Sequence, residues 1–163
     1  MIASEFIIRE ITAKDNLEMA QIVRDVIIEM GAPLKGTAYE DKALDGLYAN
    51  YKKPKAIYYV LEHDGKVVGG GGVAQLDYYK GNICELQKMY FLPIARGRGL
   101  GSKMIDLCLK KAREFGFDQC YLETIANMKA AQKLYAKKGF TEIKSPMGNT
   151  SHHSCDVWMI KKL

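Results

Sequence analysis

Hydrophobic and polar positions along the chain follow two rhythms, one with the period of a strand and one with the period of a helix. Residues 6–11, FIIREI, have strand composition. Asp15 then offers an N-cap to NLEMAQIVRDVIIEMG, in which Leu17, Ala20, Ile22, Val23, Val26, Ile27 and Met30 recur at helical spacing. Gly31 ends that helix, since a glycine relieves the left-handed turn that closes helices. A weaker helical pattern runs through EDKALDGLYANY, where Ala43, Leu47 and Tyr51 fall on one face.

Strand rhythm returns in AIYYVLEHDGKVVGGGGVAQLDY, which reads as a hairpin turning at Asp64-Gly65, and NICELQKMYFL after Gly81-Asn82 adds a third antiparallel strand. Met104, Ile105, Cys108, Leu109, Ala112 and Phe115 then make a helix face that stops at Gly116. DQCYLETI reads as a strand, MKAAQKLYAKKG as a helix, and FTEIK and CDVWMIKKL as closing strands. Antiparallel strands first and an interleaved β-α-β-α-β later predict an α/β (α+β) fold, a mixed and mostly antiparallel sheet of about seven strands with helices on both faces. The run Gly69 to Gly72 inside a strand pattern weakens that strand and marks a bulge or the close approach of another group. We expect it near a ligand pocket.

Composition narrows the picture little further. With 163 residues, 48% hydrophobic and 26% charged, residues 1–163 read as one soluble domain. No apolar run approaches the roughly 20 residues of a membrane span. The start MIASEFIIREITAKDN carries acids where a signal peptide carries positive charge, so a cytoplasmic protein without a membrane partner is expected. Cys84, Cys108, Cys120 and Cys155 show neither CxxC pairing nor zinc-like spacing with histidine, and they read as reduced thiols with no metal. The net charge of +5 comes from scattered lysines without aromatic interleaving, which suits a small anionic ligand and argues against a nucleic-acid partner.

The chemistry concentrates in FLPIARGRGLGSKM, residues 91–104, where a glycine-rich turn joins a strand to a helix. Such a turn presents unpaired backbone N–H groups and the positive end of a helix dipole to an anion. Gly97, Gly99 and Gly101 permit positive φ and close approach, and Arg96 and Arg98 add charge. A tight structural turn with exposed arginines fits the same residues. The P-loop pattern fails because Gly101-Ser102-Lys103 reverses its order, and the Rossmann pattern fails because Ser102 stands at its third glycine.

The hexamer Arg96-Gly97-Arg98-Gly99-Leu100-Gly101, followed by a helix, the strand CYLET and the segment AAQKLYAKKGF, resembles the GNAT superfamily of acyl-CoA-dependent N-acetyltransferases over residues 85–140. The resemblance implies acetyl-CoA as cosubstrate and a pair of central strands that splay apart. The amides from Gly97 to Ser102, Leu100 included, would hold the coenzyme A pyrophosphate, and Met89, Tyr90 and Phe91 would lie along pantetheine, as a peptide adds to an open strand edge. Tyr135 in LYAKKGF would protonate the leaving thiolate, a phenol of pKa about 10 being suited to a thiol near 8.5. By spacing alone Tyr135 fits a core role, because Ala131, Tyr135 and Lys138 share a face. Glu85 would be the base that frees the acceptor amine of its proton, although a solvated strand glutamate fits the pattern too. The asparagine common in the family falls at Met128, with Asn127 one position earlier as the substitute contact.

On the acceptor side the polar segment KSPMGNTSHHSCDVW, residues 144–158, would wall the pocket together with the first helices. His152 and His153 read as solvated loop residues or as groups that select an acceptor, and Tyr39, Glu40 and Asp41 as acids able to meet an amine or as a solvated helix start. The expected activity is direct transfer of acetyl to an amine of a small molecule or peptide in a ternary complex. A non-catalytic acyl-CoA sensor is the alternative, and a homodimer paired through CDVWMIKKL is an open arrangement.

Overall fold

The computed structural model describes residues 5–163. Seven strands form one sheet in the order β1-β2-β3-β4-β5-β7-β6. They are β1 (Phe6–Glu10), β2 (Ile57–His63), β3 (Lys66–Gln75), β4 (Ile83–Phe91), β5 (Gln119–Thr124), β6 (Thr141–Ile143) and β7 (Val157–Lys162). All neighbours are antiparallel except β4 and β5. Helices α1 (Asn16–Glu29) and α2 (Leu47–Tyr51) cover one face, and α3 (Leu100–Glu114) and α4 (Lys129–Lys137) the other.

Strand alternation divides the core in two. Tyr59 and Leu61 of β2, Val73 of β3 and Cys84 and Leu86 of β4 point to α3 and α4, where Met104, Ile105 and Cys108 are fully buried. Tyr58, Val60 and Ala74 point the other way and meet Met19, Val23 and Val26 of α1. Both helices bury one apolar stripe at the predicted spacing, which fixes them on the sheet, except that Leu17, expected on the stripe of α1, is 81% exposed in its first turn.

Two sequence expectations shift. Asp15 does not cap α1 simply; its buried carboxylate accepts from the Thr12 amide at 2.7 Å and pairs with the Arg9 guanidinium at 2.8 and 2.9 Å, closing a 3-10 turn that precedes the helix. The helix expected over residues 40–51 is broken into 3-10 turns at Ala38–Glu40 and Lys42–Gly46 followed by the short α2. Asp41 is extended between the turns, with φ −61° and ψ 122°, and the break aims its carboxylate inward. At the far end, β7 lies between β5 and β6, so over residues 158–160 both of its neighbours belong to this chain.

The glycine run explains the geometry of β4. Strand β4 has one residue more than β3 between the pairs Gly72↔Gln87 and Gly70↔Tyr90, a bulge in which Lys88 takes φ +48°. The Tyr58 ring on β2 crosses β3 beside Gly70 and Gly72, where added Cβ atoms would stand 2.8 and 2.7 Å from it, and its hydroxyl donates to the Lys88 carbonyl at 2.7 Å. On the opposite face, Gly69 and Gly71 make room for Phe91 and Met89. The extra residue resets the alternation: Glu85, Gln87, Lys88 and Tyr90 face the α1–α2 side, while Leu86, Met89 and Phe91 face α3 and α4. The run therefore shapes the strand beside the ligand pocket and does not itself line it.

Gly72→Ala should destabilise the fold by about 2–3 kcal/mol in urea unfolding, because its Cβ would sit 2.4 Å from the Ile57 carbonyl oxygen in a packed sheet. Gly46→Ala, which meets nothing within 4 Å, serves as the control. Equal effects of the two substitutions would refute this account of the glycine run.

Candidate active site

Parallel pairing between β4 and β5 stops at Glu85↔Tyr121. Beyond that pair the strands diverge, which leaves the β4 edge from Leu86 to Phe91 unpaired on its β5 side. An open edge of this kind can accept an extended, amide-bearing chain.

Three cavities occupy the wedge. The first, about 400 Å³ and mostly apolar, is bordered by Met89, Tyr90, Phe91, Met128, Leu134 and Tyr135, and it reaches Arg96 and Gly97. A narrow one of about 50 Å³ shares Met89, Tyr90 and Tyr135 with the first and Leu86, Lys88, Glu123 and Cys155 with the third. The third, about 270 Å³, is polar and contains Glu85, Gln87 and His152 in its wall. Tyr90 borders all three, so the wedge is one passage from an apolar slot to a polar pocket.

At the end of the slot, Gly97 and Gly99 take φ +71° and +75°, conformations that β-carbons disfavour. No carbonyl among the described residues accepts from the amides of Gly97 to Ser102. They lie at the start of α3, whose fifteen residues aim their dipole at the turn. The donor set thus fits an anion such as a pyrophosphate. Gly101 lies in the first turn of α3 against Leu134 and Phe91. The two arginines are held otherwise than expected: Arg96 pairs with Glu29 at 2.7 and 2.8 Å and bonds the Phe91 carbonyl, while Arg98 bonds the Ile94 carbonyl and lies 5.1 Å over the Phe6 ring. Backbone amides and the helix end are the anion donors this turn holds ready. Asn127 and Met128 both border the slot, beside Lys129, whose charge the sequence reading passed over.

Tyr135 is buried on α4, and its hydroxyl has no protein partner among the described residues and opens on the slot. Burial pushes its pKa up to about 12, so it is protonated at neutral pH.

Glu85 is 6% exposed and stands at the fork, at the last paired position of β4. Burial raises its carboxyl to about 7, the bond from Gln87 opposes this, and the charge of Glu123 adds to it. Gln87 Nε2 donates to Glu85 Oε1 at 2.7 Å, and the Tyr51 hydroxyl donates to Gln87 Oε1, which fixes which way the amide faces. The other Glu85 oxygen opens on the polar pocket. A half-ionised buried carboxylate near pH 7 can take a proton and return it.

Around it lies a network that the sequence reading only partly anticipated. Asp41 accepts from His152 Nε2 at 2.9 Å and pairs with Lys88 Nζ at 3.1 Å. Burial would raise the Asp41 pKa, yet its partners outweigh burial and hold it below the usual range. Burial would likewise lower that of His152, and Asp41 outweighs it and raises it. His152 is therefore an anchored group, whereas His153 is exposed; Glu40 bonds the Gly36 amide and Tyr39 lies near Arg24, away from the pocket. Glu123 was missed: it accepts from the Tyr121 hydroxyl at 2.6 Å and from that of Thr150. Its signal lay in strand alternation, which places it two residues beyond Tyr121 at the fork. Glu123, His152 and Cys155 bring potential metal-ligand atoms within 4.8 Å of one another, but hydroxyls already engage the carboxylate and Asp41 engages Nε2 of the imidazole. Burial pushes the Cys155 thiol up to about 12, which removes it as a nucleophile at neutral pH.

The sequence pattern of the acetyltransferase (GNAT) family matches residues 24–140. The chain is 45% identical over 158 residues to an uncharacterized N-acetyltransferase, YjgM, of Escherichia coli (strain K12), covering 96% of this chain and 95% of that one. Among solved structures it resembles an acetyltransferase of the GNAT family from Staphylococcus aureus Mu50, with a TM-score of 0.87, 22% identity, and coverage of 98% and 99%. It also resembles yncA from Salmonella typhimurium, solved with its cofactor acetyl-CoA, with a TM-score of 0.79, 21% identity, and coverage of 98% and 95%. At these identities the two structures bear on the fold.

Carboxyl ¹³C chemical shifts should show Glu85 half-titrating near pH 7. In Gln87→Leu the lost donor no longer favours the carboxylate, so the midpoint should move to higher pH. A midpoint in the ordinary range near 4.3 in the parent protein would contradict the burial argument.

Proposed function

The chain belongs to the acetyltransferase (GNAT) family, and from that premise we propose that it transfers acetyl from acetyl-CoA directly to an amine acceptor in a ternary complex. The observation that carries this reading is Glu85: a buried carboxylate with a pKa of about 7, at the fork between a slot that ends in unpaired amides and a polar pocket.

Acetyl-CoA supplies a thioester carbonyl for attack and a thiolate that can leave. The amides of Gly97 to Ser102 hold its pyrophosphate, and Met89, Tyr90 and Phe91 present the open β4 edge to the pantetheine arm. An arriving amine is an ammonium at neutral pH and has no lone pair. Glu85, whose burial brings its pKa up to about 7, removes that proton, and Gln87 and Tyr51 keep its oxygen in place. Amides of the unpaired edge near Met89 to Phe91 meet the negative charge that grows on the carbonyl oxygen. As the tetrahedral intermediate collapses and the C–S bond breaks, Tyr135 donates its hydroxyl proton to the sulfur, and the second proton shed by the attacking nitrogen restores the phenol through solvent. Its pKa of about 12 exceeds that of a free thiol, but the same burial raises a thiol formed beside it, which keeps the two acids closer in strength. The apolar slot excludes water from the thioester, and Asn127 closes its outer rim.

Three variants test the assignment, read by calorimetry with coenzyme A and by thiol release with a panel of amines. Tyr135→Phe should lower kcat roughly 100- to 10,000-fold and leave coenzyme A affinity intact, as expected for loss of one proton donor. Glu85→Gln should lower kcat/KM by a similar factor and remove its decline below about pH 7, because an uncharged amide has no carboxylate to protonate. Gly99→Ala, forced to φ +75°, should weaken coenzyme A binding. Binding of coenzyme A without turnover of any amine in the parent protein would identify a sensor instead.

A further inference from the structure

The polar pocket has a charge pattern that specifies more than an amine. Four carboxylates in its wall face three lysines and one histidine. A pocket for a polyamine or another polycation needs an excess of acid along its length; this one is close to balance.

The charges are also sorted by depth. Lys88 and His152 are already taken up by Asp41, so that network offers a bound ligand little free charge. Deep in the pocket, Glu85 and Glu123 are bonded by neutral donors alone, Gln87 for the first and the hydroxyls of Tyr121 and Thr150 for the second. Both carboxylates line the same polar pocket, and together they form its cation-seeking end. At the mouth, Lys42 and Lys53 are exposed, no carboxylate pairs with either among the described residues, and they outnumber the single exposed acid there, Asp77. The pocket volume of about 270 Å³ lies below the roughly 300–1,000 Å³ that drug-sized ligands occupy.

We propose that the acceptor is a small zwitterion, whose amine enters between Glu85 and Glu123 while an anionic group, carboxylate or phosphonate, is received by Lys42 and Lys53 at the mouth. This rests on the acetyltransferase reading of the same site. Complementary charge at both ends orients the molecule with its amine toward the throat, which makes the lysines specificity determinants.

The test is thiol release from acetyl-CoA by the full chain with matched acceptors: amino acids, the corresponding amino acid amides, aminoalkylphosphonates and diamines of similar length. The acid-bearing acceptors should exceed the amides and diamines in kcat/KM, and the carboxylate and phosphonate arms show which anion is preferred. Lys42→Gln combined with Lys53→Gln should raise KM for the acid-bearing acceptor roughly three- to tenfold, the size expected of two exposed ion pairs, with kcat and the kinetics of the amide unchanged. Both side chains are solvated, so folding should not suffer. Amides or diamines turning over as well as the acids, or a double variant that affects both alike, would overturn the proposal and leave the transferase reading intact. Turnover of no amine at all, with coenzyme A still bound, would overturn both.

Discussion

The Tyr58 hydroxyl reaches across a whole strand to hold the carbonyl of Lys88, and the arrangement of the site follows from that bond. A left-handed residue other than glycine inside a strand is costly, and it persists where its surroundings fix it. Here the fixing group is a phenol on β2, and the path it needs exists because β3 presents glycines beneath the ring. The bulge then turns Lys88 toward Asp41 and returns Met89 and Phe91 to the opposite face. One extra residue thus lets a single strand border both the polar pocket and the apolar slot.

Where β4 parts from β5, the sheet gives up backbone hydrogen bonds, and the open edge is the site's main asset. Burial acts there in two directions. It lifts Glu85 to about 7, close to neutrality, and it keeps the Tyr135 hydroxyl and the Cys155 thiol protonated there. The network of Asp41, Lys88 and His152 draws together a broken helix, a bulged strand and a long loop, so three irregular segments are pinned at the place where the acceptor would enter.

Most of the architecture was legible in the chain because it rests on local signals. Helical spacing from Leu17 to Met30, the Asp64-Gly65 turn and the glycines before α3 each identify an element by steric or periodic rules. The second helix misled because Ala43, Leu47 and Tyr51 have the right spacing, while Asp41 and Gly46 leave the helical region. The candidate site was legible where backbone makes it, in the positive-φ turn and free amides from Gly97 to Ser102, and less so where side chains from distant elements meet. Arg96 carries no local mark of Glu29, far away in sequence, with which its guanidinium pairs. Glu123 and His152 carry no local mark of their surroundings, since their partners come from other strands, turns and loops. The glycine run is conspicuous in the sequence, but its purpose depends on Tyr58, to which composition alone does not point.

The central claim is that unpaired amides at the start of α3 grip the pyrophosphate of coenzyme A while the thioester arm lies along the open edge of β4. Amide ¹H–¹⁵N spectra of the full chain, recorded during titration with coenzyme A, address it residue by residue. The account predicts that the largest shifts fall on Gly97 to Ser102, with a second set on Met89 to Phe91. Shifts confined to other surfaces, with both of those segments unmoved at saturation, would contradict it.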